Sequence, residues 1–293
     1  MPIPNLFIIG AMKSGTTSLH NYLNSHPDVF MCEPKEPSYF VEEKNYSKGE
    51  NWYLDLFQGA GVAPIVGESS TDYTKLPVYK GVPEKIKQFN PDAKFIYIMR
   101  DPVERIISHY WYSISTTAKG FIDGMKLETR DMLSAVKSDP EYIPYSDYAY
   151  QLDPYIYYFG LENIYTLTFE DLVANRMGEM NAIYKWLGID CHDEMSISKD
   201  VWNKTPSKIN RFKGSGWLQK ISSSRLWDRM SPHVPYAFKR MIKTVVTENV
   251  EKNTPAELLH YLQPILIPKT EKLEELLQKD FSCWKTLYSD AEK

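Results

Sequence analysis

Short apolar runs alternate with stretches of helical spacing through the first 190 residues. Residues 6–9, 65–68, 94–99 and 163–169 read as strands, short and apolar in the way of strands buried on both faces. Helical spacing follows near 16–25, 82–89, 102–117, 146–159 and 177–187, and Gly188 closes the last of these as a C-terminal cap. Strands separated by helices predict an α/β fold with a central, mostly parallel sheet flanked by helices. Helical patterning returns from 234 onward, where Leu273, Leu276, Leu277 and Phe281 are expected as core contacts. Residues 112–145 and the polar, basic stretch Asp200–Gly216 are less regular and are expected as loops at the mouth of a site. With no repeat, low-complexity block or long linker, the chain is expected as a single domain over 1–293. Its core is 1–190, with a covering loop at 200–216 and C-terminal helices at 234–285.

The first strand runs straight into Gly10-Ala-Met-Lys13-Ser14-Gly15-Thr16-Thr17-Ser18-Leu19, which reads as a phosphate loop and the start of a helix. Glycines at 10 and 15 let the backbone turn tightly against an anion. The N–H groups at the helix start and the hydroxyls of Ser14, Thr16, Thr17 and Ser18 can donate to its oxygens. Lys13 adds a full positive charge. In the nucleoside-triphosphate loop G-x-x-x-x-G-K-[ST] the lysine follows the second glycine. Thr16 stands there instead, which argues against a standard ATPase or GTPase and for phosphates gripped without an obligatory metal.

A second segment narrows the ligand. Lys94–Met99 is followed at once by Arg100-Asp-Pro-Val-Glu-Arg-Ile-Ile-Ser108, so the arginine lies at the carboxyl end of a strand and Pro102 suits the first turn of a helix. Ser108 falls about two turns along that helix, where it and Arg100 can face one phosphate. The planar guanidinium fork favours such a dianion.

With these two motifs in this order the chain resembles the sulfotransferases that use 3′-phosphoadenosine 5′-phosphosulfate (PAPS), particularly their bacterial and glycan-type branch. The resemblance takes in Lys35-Glu36-Pro-Ser-Tyr-Phe40, Gly67-Glu68-Ser-Ser-Thr-Asp72-Tyr73, Asn163–Leu172 and Lys272–Trp284, most of the chain. It implies a P-loop-kinase-like sulfotransferase fold. It also implies that Gly10–Leu19 holds the 5′-phosphosulfate, that Arg100 and Ser108 hold the 3′-phosphate, and that a late basic loop covers the adenosine. Asn203, Lys204, Lys208, Arg211, Lys213 and Gly214 are the positions available for that loop. The implied chemistry is in-line attack of an acceptor oxygen or nitrogen on sulfur, with adenosine 3′,5′-bisphosphate (PAP) leaving and Lys13 stabilising the bridging oxygen. No metal is required.

An alcohol needs a base within hydrogen-bond reach. Glu36 matches the block that supplies the catalytic glutamate of glycan O-sulfotransferases, and Asp72 is the second choice. The histidine base of the cytosolic branch has no counterpart in Gly67–Asp72, and Ser69 stands where glycan enzymes often carry a lysine that assists at the sulfuryl group. His20 and His109 fall within expected helices and are expected to pack or lie exposed. A nucleotide kinase and a silent nucleotide-binding module are the competing functions. The first is opposed by Thr16, the second by the joint presence of Lys13, Glu36, Arg100 and Ser108.

Charge and cysteine content bound the setting. With 34 basic and 38 acidic residues the formal charge is −4, which offers no general attraction to nucleic acid or an anionic membrane. No stretch approaches the length of a membrane span. Cys32, Cys191 and Cys283 are widely spaced, so a cytoplasmic enzyme is expected. Its acceptor is expected to be a small natural product or a carbohydrate, and a homodimer is left open. The 21 tyrosines and 7 tryptophans do not choose between these acceptors.

Overall fold

The computed structural model describes residues 2–123, 128, 130–191, 208–212, 247–251 and 254–289. These group into two compact units: Met1–Arg105 with Glu141–Asn203 and Leu262–Lys293, and Ile106–Pro140 with Lys204–Tyr261.

The first unit is built on five parallel strands: β1 (Leu6–Gly10), β2 (Val29–Met31), β3 (Ile65–Ser69), β4 (Lys94–Met99) and β5 (Ile164–Thr168), in the order β2-β3-β1-β4-β5. Alternate side chains of β1 serve different layers, as the period of two demands. Leu6 and Ile8 join Ile96, Ile98 and Leu167 beneath Leu19 and Leu23 of α1 (Thr16–Asn24) and Met180, Ile183 and Tyr184 of α8 (Arg176–Leu187). Phe7 instead faces an aromatic layer. Its ring is stacked 5.7 Å from Phe95 and lies 6.1 Å from Phe40, and Phe95 in turn meets Tyr155 and Phe159 of α6 (Tyr148–Phe159). Tyr53 of α2 (Glu50–Asp55) and Phe89 of α3 (Val82–Phe89) complete this layer against Phe40.

The order of the strands sets the position of the site. The chain leaves β1 for β2 on one side and later crosses to β4 on the other. The carboxyl ends of β3, β1 and β4 therefore lie side by side at a topological switch point, where α/β sheets bind ligands. Past β4, Asp101 caps α4 (Pro102–Asp123), its Oδ1 accepting from the N–H groups of Val103 and Glu104 at 3.0 and 3.3 Å. Its Oδ2 accepts from the N–H groups of Thr286 and Leu287 at 2.8 and 3.0 Å. The segment that reaches it follows α9 (Ala256–Leu277) and buries Phe281, Trp284 and Leu287, with the Phe281 and Trp284 rings stacked at 4.4 Å.

Four strands and five helices of the expected α/β pattern are present with small shifts of boundary. The short strand β2 adds an edge, and α7 (Phe169–Ala174) follows β5 directly. Among the described residues, both stretches expected as loops contain regular elements, and Thr247–Glu251 is a strand where C-terminal helices were expected. Helix α4 continues to Asp123, and α5 (Met132–Ser138) is capped by Asp131, which accepts from the Ser134 N–H at 2.9 Å. Within 200–216, residues Lys208–Phe212 form β6, paired antiparallel with β7 (Thr247–Glu251).

Candidate active site

The phosphate loop occupies residues 11–15, between β1 and α1. Its ends are tied by Ala11 N–H donating to the Ile98 carbonyl at 2.7 Å and Ser14 N–H donating to the Ala11 carbonyl at 3.1 Å. Gly15 sits at φ 95° as the N-cap of α1 and offers no side-chain cap, so the first turn keeps its N–H groups for a ligand. Lys13 also lies in the left-handed region, at φ 73°. The Ser14 hydroxyl is fully buried and has no hydrogen-bond partner among the described residues, as a donor facing a ligand site would. Thr16 and Ser18 are buried behind it, and Thr17 is half-buried. Gly10 is required by crowding, since a Cβ there would lie 2.1 Å from Thr74 Oγ1 and 2.8 Å from the Tyr97 ring.

Arg100 follows β4, its carbonyl accepting from the Tyr148 hydroxyl at 2.6 Å. The guanidinium donates to Glu104 Oε2 at 3.1 Å and lies 5.2 Å over the Phe169 ring. That same ring would be 2.8 Å from a Cβ on Gly15. Phe169 thus brings together two motifs 85 residues apart. Ser108 is half-buried on α4 and belongs to the second unit. Glu170 beside Phe169 accepts from the Asp101 N–H at 3.0 Å, and burial pushes its carboxyl up.

The third wall comes from residues 33–44 and the end of β3. Glu36 is exposed and adopts φ 64°, a left-handed conformation that a residue with a Cβ holds only when its neighbours impose it. Its N–H donates to the Ser69 carbonyl at 2.9 Å. Its Oε2 accepts from the Thr71 N–H at 2.7 Å and the Thr71 hydroxyl at 3.2 Å, while Lys35 pairs with Oε1. Ser38, also left-handed at φ 47°, donates its N–H to Ser70 Oγ at 2.9 Å and its hydroxyl to Asp72 Oδ2 at 2.6 Å. Asp72 is buried between Lys44 on Oδ2 and Lys75 on Oδ1. Burial alone would raise its carboxyl, but the Lys75 charge and the bonds from Lys44, Lys75 and Ser38 outweigh it and bring the pKa down to about 2.

Two titratable groups stand behind this wall. Glu68 is fully buried, taking the hydroxyls of Tyr53 and Tyr73 on Oε1 at 2.7 and 2.6 Å and that of Ser70 on Oε2 at 2.6 Å. Burial, with a smaller push from the Glu36 charge, raises it to about 7 against the pull of those three donors. His20, buried on α1, meets Ser69 Oγ through Nδ1 at 2.8 Å, and burial followed by the Lys35 charge lowers it to about 4. The ring is therefore neutral near pH 7.

The first unit thus gathers the phosphate loop, Arg100, Glu36 and Asp72. Lys208 and Arg211 lie on β6, opposite Glu251 and Glu248 of β7. Asn203, Lys204, Lys213 and Gly214 lie outside the described residues. Lys44 and Lys75 belong to no motif of the sequence, and Ser38, Ser70 and Phe169 stand there only as members of the family blocks. One signal was available: an acidic residue inside the apolar run Ile65–Ser69 contradicts its surroundings, and such a conflict marks a site.

The Sulfotransferase domain family matches residues 4–234. The mouse and human proteins named heparan sulfate glucosamine 3-O-sulfotransferase 6 are 29% and 31% identical over 80% and 82% of the chain, and mouse heparan sulfate glucosamine 3-O-sulfotransferase 3B1 is 32% identical over 95% of it. The chain spans about two thirds of those relatives, 66%, 68% and 64% of their lengths. The crystal structure of a sulfotransferase from Alicyclobacillus acidocaldarius has the same fold, with a TM-score of 0.67, 22% identity and coverage of 97% of this chain and all of that one. The chain belongs to the sulfotransferase family.

Proposed function

We propose that the protein transfers the sulfuryl group of PAPS to a hydroxyl of a carbohydrate acceptor, releasing PAP. The observation that carries this reading is the exposed Glu36 carboxylate, anchored on one oxygen by Thr71 and held on a loop bonded to the strand beside the phosphate loop. A carboxylate fixed there takes the acceptor proton as the acceptor oxygen attacks sulfur and the bond from sulfur to the bridging oxygen breaks. Lys13 meets the charge that grows on the leaving oxygen. Ser14, Gly15, Thr16, Thr17 and Ser18 hold the 5′-phosphate, and Arg100 holds the 3′-phosphate.

Between the two carboxylates Glu36 suits the base and Asp72 does not. A carboxylate with two ammonium partners and a pKa near 2 is a weak proton acceptor. A carbohydrate is favoured by the glucosamine 3-O-sulfotransferase names of the relatives, at about 30% identity. The free thiols of Cys32, Cys191 and Cys283 suit a reducing compartment.

The test is calorimetric titration with PAP and, in parallel, with ATP and magnesium. Binding of PAP that Arg100→Ala abolishes supports the nucleotide site, and a preference for magnesium ATP overturns it in favour of phosphoryl transfer. Transfer of labelled sulfate from PAPS to a panel of glucosamine-containing oligosaccharides then identifies the acceptor. Undiminished transfer by Glu36→Gln removes Glu36 as the base.

A further inference from the structure

Glu68 touches neither the phosphate loop nor the exposed face of Glu36, yet it is fully buried and accepts three hydrogen bonds. All its partners are hydroxyl groups: Tyr53, Tyr73 and Ser70 donate to it from three directions. A hydroxyl that donates to Glu68 has only lone pairs left to offer, and in two cases a backbone N–H of the base-bearing segment is on the other side. Ser70 Oγ accepts from the Ser38 N–H at 2.9 Å, and Tyr73 Oη faces the Phe40 N–H at 3.5 Å. Those N–H groups lie two and four residues beyond Glu36, in a segment with two left-handed residues that carry Cβ atoms. Such a segment reverts to ordinary backbone angles unless bonds over-determine it.

We infer that Glu68 is a positioning residue for the sulfuryl-transfer reaction: through Ser70 and Tyr73 it fixes the direction of two hydroxyl groups and thereby holds the Glu36 segment in its left-handed conformation. This inference rests on the assignment of Glu36 as the base. The role requires acceptor oxygens on both arms of the side chain. Glutamine offers one oxygen and one NH2, so one of the hydroxyl clusters must reverse its direction and turn a proton toward the N–H it now receives. An apolar residue would leave three buried hydroxyls unpaired.

The experiment compares the full chain with Glu68→Gln and Ser70→Ala variants. Ser70→Ala removes the relay to Ser38 while leaving the buried carboxylate two of its donors, so it covers the case in which Glu68→Gln does not fold. The first readout is amide hydrogen exchange across 33–41, measured with PAP bound. Faster exchange of the Ser38 amide in the variants, with 6–19 unchanged, supports the inference, and exchange identical to the parent overturns it. The second readout is PAP release from PAPS with water as acceptor. A misplaced base costs about 10²-fold in kcat, with the KM for PAPS and the affinity for PAP unchanged.

A merely structural role is separated by a double-mutant cycle. If Ser70 and Glu68 act through Glu36, adding Ser70→Ala to Glu36→Gln slows turnover no further than Glu36→Gln alone. Fully additive losses overturn the inference. Turnover undiminished in Glu36→Gln itself refutes the base assignment, and the exchange measurement still decides whether the Glu68 shell holds the segment.

Discussion

Replacing Asp72 by asparagine separates the ion-pair energy of the base-side wall from its shape. The aspartate side chain is 6% exposed, and its two oxygens serve Lys44, Lys75 and the Ser38 hydroxyl. Its pKa is about 2 in the folded chain against an ordinary value of 3.8. A folded-state pKa that is depressed marks stability present above the unfolded value and lost as pH falls through the folded one. At 1.36 kcal/mol per pH unit the carboxylate contributes about 2 kcal/mol at neutral pH, of which roughly 1 kcal/mol remains at pH 2.5. Urea unfolding of parent and Asp72→Asn at a series of pH values from 7 to 2.5 measures this directly. The stability gap between them should shrink by about 1 kcal/mol across that range, with most of the change below pH 4. Subtracting one protein from the other cancels the carboxylates they share. A gap that stays constant over the whole range would mean that Asp72 titrates as a free carboxylate, and that Lys44 and Lys75 do not hold it.

Three further outcomes follow from the site. Gly15→Ala places a Cβ 2.8 Å from the Phe169 ring at a φ of 95°; it should lower stability by about 1–3 kcal/mol and weaken PAP by a larger factor, because the displaced ring also supports Arg100. Thermal unfolding beside calorimetry distinguishes the two effects. Arg100→Lys keeps the charge but loses the fork and the stack on Phe169, so PAP affinity should fall about tenfold or more; unchanged affinity would remove Arg100 from the nucleotide site. The His20 ring, lowered to about 4 by burial and then by Lys35, should titrate by NMR well below 6 and lose stability for the fold as pH drops from 6.5 toward 4, since the unfolded chain then binds more protons. An inflection near 6.5 would place the ring in solvent.

The parts of the site that were legible in the sequence are those that are continuous in it. The phosphate loop and the Arg100 segment each carry their whole message within ten residues, and each sits where an apolar run ends. The base-side wall is assembled from pairs far apart: Glu36 with Thr71, Ser38 with Ser70 and Asp72, Lys44 with Asp72. Serine, threonine and lysine at those positions are unremarked residues until β2 is laid against β3, and β2 is only three residues long. Its shortness hid the register that creates the pairs. The stretch at 112–145 lacks a clear pattern in the sequence because its polar and small residues mask the spacing of α4 and α5. Their helical form is secured by the length of α4 and by the Asp131 cap.

The Asp101 carboxylate has a consequence for how the enzyme is made. One of its oxygens starts the helix behind Arg100, and the other is bound by Thr286 and Leu287, 185 and 186 residues later in the chain. As the polypeptide emerges from the ribosome, strands β1 to β4 can pair early, whereas the second oxygen of Asp101 gains its partners only when Thr286 and Leu287 have been synthesised and docked. A nascent or prematurely released chain would carry a complete loop at 11–15 and an Asp101 carboxylate with one oxygen unsatisfied.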